Sequence, residues 1–514
     1  MGKSGRHLPN HATALHRLVA ISLVTFTLYS ATWLLERAIF YNHTALPGDA
    51  SYAAHRTFLA WQMTGYVVVT VLIFCAYLAV LRMCQAGELD DRAKRLLALG
   101  VPIFLNIFCL LWLPRLSQDV FSYVAHGFLG QLPGHNPLLE PVETTLHTAA
   151  GPRFAGFGWL PHGITPYGIL WTRVEMAVVS FCEGNVYAAV LSFKAIATLA
   201  SLASAGLIWI VLGRTSPALQ LQGTLAYLWN PLLVMELAGE GHNDAIMIFF
   251  SIAAIAACLA SRPTLSIIAQ LLGIMSKYIP LLFLPAQLWY LWRVRRNGWQ
   301  LALQLATAAA VGLVIAILLY APLWAGLHSF DGIMRRTDSI IGSVTLFRVI
   351  AWFLKHSPFK ASALAIATAL VAGPMLAWIV WSALRVKDVA DLARTCAWIS
   401  LAFVLVASPD YWPWYACMPV AWILVGDVSR LLWLACLMTL VARLVAPLEV
   451  LNMHGDLPQQ VSRMTTGLGA LVPLIALAVW FCRQWQRGDL SRTATPTARA
   501  ATPVGSSSSP TAKG

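Results

Sequence analysis

Residues 96–127 read LLALGVPIFLNIFCLLWLPRLSQDVFSYVAHG. The run from Leu96 to Leu113 carries no charge and is long enough to cross a bilayer, which takes about 20 apolar residues. It stops at Pro114, and Asp119 follows about one helical turn later. Asp119, Tyr123 and His126 are spaced i, i+4 and i+7, which puts a carboxylate, a phenol and an imidazole on one helix face. Ionisable groups at a lipid edge are costly, and a carboxylate desolvated there gains basicity, as a general base requires. The competing reading is a helix-start carboxylate that satisfies free N–H groups.

This pattern of apolar span followed by sparse, placed polarity extends over the chain. Of 514 residues, 58% are hydrophobic and 11% charged, against roughly 25% charged in a soluble globular chain. The mean hydropathy is +0.68. A soluble enzyme, a disordered chain, a disulfide scaffold and a DNA-binding domain are all excluded, which leaves an all-α polytopic membrane protein. The formal charge is +13, from 35 basic and 22 acidic residues. Cytoplasmic loops account for an excess of this kind, and attraction for a phospholipid headgroup or lipid-linked phosphate is the sharper alternative. No basic helix or aromatic platform points to nucleic acid. The nine cysteines form no CxxC pair, so neither a zinc site nor a redox motif is indicated.

Apolar runs near 18–35, 62–82, 96–113, 187–212, 220–237, 244–260, 264–276, 279–292, 300–320, 361–384, 393–408, 411–426, 430–447 and 465–482 give about 14 transmembrane helices. The first is read as an uncleaved span. Basic clusters at Arg82 and Arg92–Arg95, Arg293–Arg296, Arg385–Arg394 and Arg483–Arg487 are placed inside by the charge rule, with both termini cytoplasmic in an inner membrane. Residues 114–186 then form a long first external loop with interfacial helices. Residues 1–487 are expected to be one transmembrane domain, and 488–514 a disordered cytoplasmic tail rich in Ser, Thr, Pro and Ala.

The remaining placed polarity falls on the same external side. Glu236, Glu240, His242, Asn243 and Asp244 crowd between two spans; the last three could bind a sugar, a metal or a phosphate-bearing ligand, or could simply cap helix ends at a re-entrant turn. Lys277 sits between two apolar runs and must snorkel or find an anion. Arg335 and Arg336 run against the charge rule and suit an anion, unless Asp331 and Asp338 neutralise them. Asp410 lies in an aromatic, proline-broken stretch with Trp414, whose face could stack on a sugar ring or anchor the membrane edge. One cavity would gather these groups for transfer from a lipid phosphate to a hydroxyl, with a base for the acceptor proton and cations for the leaving phosphate.

The chain resembles the GT-C-fold glycosyltransferases, and within them the bacterial polyprenol-phosphate-mannose-dependent α-1,6-mannosyltransferases and their DUF2029-like relatives. The stretches that carry the resemblance are SQDVFSYVAHG (117–127), HNP (135–137), TPYG (165–168), WNPL (229–232), GHNDAIM (241–247), KYIP (277–280) and SPDYWPWY (408–415). Gln118 stands where the family often has Arg, and Leu138 where it often has Tyr. The resemblance implies a GT-C-like bundle that moves a hexose, mannose by this likeness, from a polyprenyl-phosphate donor to an external glycan or glycolipid hydroxyl with inversion. Asp119 would be the base, and Tyr123, His126, Asn136, Tyr167, His242, Asn243, Asp244, Lys277, Arg335, Arg336, Asp410 and Trp414 would bind substrate. No cofactor is expected, and no metal is required where cationic side chains do the electrostatic work; divalent-metal dependence is left to a chelation test. The rival expectation is a transporter or flippase of a lipid-linked sugar, which predicts broken helices at mid-membrane and repeat symmetry. No such repeat is evident in the sequence.

Overall fold

The computed structural model describes residues 11–41, 52–147, 163–334, 345–453 and 459–487. Among these residues the regular structure is all helical, with no strand beyond an isolated bridge between Ala325 and Leu327. The chain divides into two units, Met1–Pro473 and Leu474–Gly514, and the candidate site lies wholly in the first. The expected tail at 488–514 lies outside the described residues.

In chain order the helices are α1 (His11–Tyr41), α2 (Tyr52–Gln85), α3 (Arg92–Leu110), α4 (Asp119–Leu129), α5 (Ile169–Phe181), α6 (Val186–Thr215) and α7 (Gln220–Leu228). Then come α8 (Pro231–Gly239), α9 (Asp244–Leu259), α10 (Pro263–Ser276), α11 (Leu284–Val294) and α12 (Gly298–Tyr320). The last six are α13 (Leu346–Lys355), α14 (Ala363–Ala383), α15 (Val389–Ala407), α16 (Pro413–Gly426), α17 (Val428–Met453) and α18 (Gln459–Gln486).

The polytopic all-α reading holds. Among the described residues nine helices are long and apolar enough to cross a membrane, against the fourteen apolar runs of the sequence. The other five runs are broken, bent or too short. Residues 220–237 are interrupted at Asn230-Pro231, where the proline cannot continue α7 and the Asn230 side chain accepts from the N–H groups of Leu232 and Leu233 to start α8. The run at 244–260 is the second arm of a bent pair, α8 and α9 meeting at 116°. Residues 279–292 begin as a 3₁₀ turn over Ile279–Phe283, and α10 and α16 are short apolar helices.

The bend between α8 and α9 positions the site. Residues 234–239 widen into a π-helix, a form that recurs at functional sites, and Gly241 follows at φ +78°. That backbone suits glycine, and a Cβ there would also lie 2.8 Å from Lys194 Cγ. Opposite the bend, α4 is buried along nearly its whole length, with Val120, Tyr123 and Val124 packed against Trp171 of α5 and Phe193 of α6. Gly127 lets α4 cross α5 closely, since a Cβ there would stand 2.5 Å from Glu175 O.

Candidate active site

Asp119 is the first residue of α4, and its side chain remains 20% exposed. The preceding segment is held by a second acid. Glu240, at the bend, accepts from the backbone N–H groups of Arg115, Leu116 and Ser117 through one carboxylate oxygen, at 3.0, 3.2 and 3.1 Å. The end of α3 is fixed from α6, where the buried Lys194 ammonium donates to the carbonyls of Cys109 (3.1 Å) and Trp112. A cation at a helix C-terminus offsets unpaired carbonyls there. Both contacts set where α4 begins, and so where Asp119 stands.

His242 meets Asp119 from the bend. Its Nδ1 is 3.4 Å from Asp119 Oδ2, and its Nε2 is 3.2 Å from Glu236 Oε2. The ring is fully buried and stacks on Trp414 at 4.2 Å and 20°, and Trp414 in turn stacks on Trp412. Behind Glu236 lies Arg443 of α17, which donates to Glu236 Oε1, Glu36 Oε1 and the Tyr66 hydroxyl, each at 2.7 Å. A line of charged groups therefore runs from the partly open Asp119 through His242 and Glu236 to a buried arginine. Two acids beside one arginine satisfy much of its donor fork, which a buried guanidinium requires.

The other expected site residues divide into two groups. Asp244, Lys277 and Trp414 gather around the bend with His242. Lys277 Nζ donates to Asp244 Oδ2 at 2.7 Å and lies 5.3 Å from the centre of the Tyr415 ring. The Tyr123 hydroxyl accepts from the Asn243 N–H at 3.3 Å, while the buried Asn243 side-chain amide has no hydrogen-bond partner. Tyr167 packs edge-on against Tyr123 and against His126, whose Nδ1 is 3.7 Å from the buried Glu175. Gly168 seats this loop against α10: its N–H donates to Ser276 O, and a Cβ would lie only 2.1 Å from Met275 O.

Asn136 and Asp410 are tied to structural partners. The Asn136 amide donates to Leu323 O at 2.8 Å, and its carbonyl accepts from the Leu138 N–H. Next to it, His135 Nδ1 pairs with Glu140 at 2.7 Å, and that hydrogen bond holds the Glu140 carboxyl below the ordinary carboxylate range. Asp410 pairs at 3.0 Å with Arg348, which also donates to Pro409 O. Arg335 and Arg336 lie outside the described residues. Among the described residues no group of three or more His, Cys, Asp or Glu side chains is arranged so that it could hold a metal ion.

Sequence reasoning missed Arg443, Lys194, Glu36 and Arg348. The first two carried a usable signal: each is a charge set deep inside an apolar run, where an ionisable residue needs a partner. Only the fold shows which partner.

Residues 14–293 match the model of a family described as alpha-(1->6)-mannopyranosyltransferase, N-terminal domain. The match covers more than half of the chain and includes the motifs at 117–127, 241–247 and 277–280. The chain belongs to this family. It is also 28% identical over 288 residues to alpha-(1->6)-mannopyranosyltransferase A of Mycobacterium tuberculosis (strain ATCC 25618 / H37Rv), an alignment covering 52% of this chain and 49% of that relative. The chain thus spans about half the length of the curated relative it matches. The mannopyranosyltransferase match holds Asp119, Glu236, His242, Asp244 and Lys277, whereas Arg348, Asp410, Trp414 and Arg443 lie beyond its end.

Proposed function

We propose that this chain is a membrane mannosyltransferase that forms α-1,6 linkages, taking mannose from a polyprenyl-phosphate donor and delivering it with inversion to a glycan or glycolipid hydroxyl. Family membership and the relative's name support the class of reaction. The mechanism rests on one observation: a partly exposed carboxylate, Asp119, backed by a fully buried His242 that Glu236 and Arg443 hold from behind.

In this reading Asp119 accepts the acceptor's hydroxyl proton as that oxygen bonds to the anomeric carbon. The anomeric carbon–oxygen bond to phosphate breaks, and polyprenyl phosphate leaves with the bonding pair. Lys277, the cation paired to Asp244 beside the bend, stabilises that charge with the donor sites its ammonium retains. Arg335 and Arg336 are further phosphate partners in the same scheme. His242 is a positioning residue that fixes the Asp119 carboxylate, and Trp414 closes the back of the His242 ring. The basic clusters favour cytoplasmic termini and a site on the extracytoplasmic side.

The deciding experiment reconstitutes the full chain in vesicles with radiolabelled polyprenyl-phosphate mannose and a mannan oligosaccharide. Label is expected in an α-1,6-linked product, with the anomeric configuration inverted by NMR and transfer retained in EDTA. Failure to consume any polyprenyl-phosphate hexose overturns the reading. A second reading, flipping of a lipid-linked sugar, draws on the 116° break between α8 and α9, since discontinuous helices form transporter sites. It predicts movement of the labelled donor across the bilayer without an acceptor.

A further inference from the structure

The helices that hold the buried end of the charge line at one level form a separate groove at another. α2 and α17 run antiparallel, with Tyr66 of α2 bonded to Arg443 of α17. Sixteen residues further along α2 lies Arg82, and thirteen residues back along α17 lies Arg430. At 1.5 Å per residue these lie about 24 Å and about 20 Å from the Tyr66–Arg443 contact, at the same end of the pair. Between them and α7 opens a groove of about 670 Å³, well within the ~300–1,000 Å³ range of small-molecule sites.

Its walls and its mouth differ in chemistry. Leu78, Trp433 and Leu437 are among the apolar side chains that line it, while Arg82, Arg430 and the Gln222 amide sit at its polar end. Both arginines are exposed, and neither guanidinium has an ion-pair or hydrogen-bond partner among the described residues. Asp427, the acid nearest Arg430 in sequence, feels the Arg430 charge but makes no ion pair with it within 4.0 Å; it is buried and does not line the groove. Orientation by the charge rule explains basic residues at this end of the bundle, but it does not require two of them, from helices far apart in sequence, to share the mouth of one apolar groove. Two unpaired forks of donors beside an apolar slot match a phosphate diester carrying acyl chains.

We propose that this groove is a binding site for an anionic phospholipid of the surrounding membrane, with an acyl chain against Leu78 and Leu437 and the headgroup phosphate between Arg82 and Arg430. The charge rule puts this mouth in the cytoplasmic leaflet, opposite the side assigned to Asp119. The lipid is thus distinct from the sugar donor and tethers α2 to α17 at the end away from the site.

Native mass spectrometry of the full chain in detergent tests this, with phosphatidylglycerol and phosphatidylcholine of identical chains as probes. Native protein is expected to retain phosphatidylglycerol preferentially. The double variant R82Q/R430Q should weaken that retention about thirtyfold, at about 1 kcal/mol per arginine at a membrane surface. Phosphatidylcholine binding should not change, and R82K/R430K should restore preference. Leu437→Trp, which fills the slot and leaves both charges, should also expel the lipid. Inorganic phosphate should not compete. Equal retention of the two lipids by native protein, full phosphatidylglycerol retention by a folded R82Q/R430Q variant, or displacement by inorganic phosphate would each overturn the proposal.

Discussion

The loop at 135–140 and the bend at 236–244 are built from the same residue types. Each has a His-Asn step beside an acid: His135, Asn136 and Glu140 in one, Glu236, His242 and Asn243 in the other. In the loop the histidine and the acid are 34% and 32% exposed, and the asparagine amide is engaged at both ends. In the bend the histidine is fully buried between two carboxylates, and the asparagine amide has no partner. One set clips a turn in water, where an ion pair contributes about 0–1 kcal/mol. The other stands where every uncompensated charge is expensive, so its partners cannot be exchanged for solvent. Burial, rather than residue type, separates a turn from a candidate site.

The largest test of that contrast lies at the open end of the charge line. Asp119→Asn should cut kcat by about 10²–10⁴, the usual contribution of a positioned base, while the protein elutes and melts as native. Near-native turnover would return Asp119 to the helix-start role. Next comes Arg443→Met, which leaves Glu236 and Glu36 buried without their cation. Thermal or denaturant unfolding should register a loss on the order of 3–5 kcal/mol, and adding Glu236→Gln and Glu36→Gln should recover much of it. A single Arg443→Met as stable as the native chain would show that the line carries no stabilising charge balance.

His242→Asn tests positioning. It should lower kcat about 10²-fold, the cost of misplacing a reacting group by about 1 Å, and leave KM nearly unchanged. A rise in KM with kcat intact would make His242 a substrate contact instead. The smallest effect is expected in the loop, where His135→Ala should cost less than about 1 kcal/mol and leave kcat alone. The Glu140 carboxyl is held below its ordinary value of about 4.3, so its small contribution is full above that pH and fades as pH falls through the lowered value. Thermal melts of native and His135→Ala protein between pH 3 and 6 should converge at the acid end. Convergence at the alkaline end would contradict the assigned pairing.

Much of this was legible in the chain. Fourteen apolar runs announce an all-helical membrane protein, and Asp119, His242, Asp244 and Lys277 stand out because charge is scarce around them. The breaks at Asn230-Pro231 and Glu240–Asn243 were harder to weigh, since a run interrupted by a bend has the same hydropathy as two short spans. The site's back wall was hidden for another reason. Arg443 lies 207 residues from Glu236, and nothing local in either stretch says that they meet. Asn136 reads as a ligand in a motif, yet the fold gives its amide to Leu323 O.

That distance bears on how the molecule can vary by descent. The family match ends at residue 293, but the acid at 236 is answered by an arginine at 443, and the imidazole at 242 lies against an indole at 414. The two halves are therefore not independent heritable modules. A change of charge at Glu236 or Glu36 must be met by a change at Arg443, and a chimera that joins the first 293 residues to an unrelated partner half would inherit two buried acids without the arginine they share.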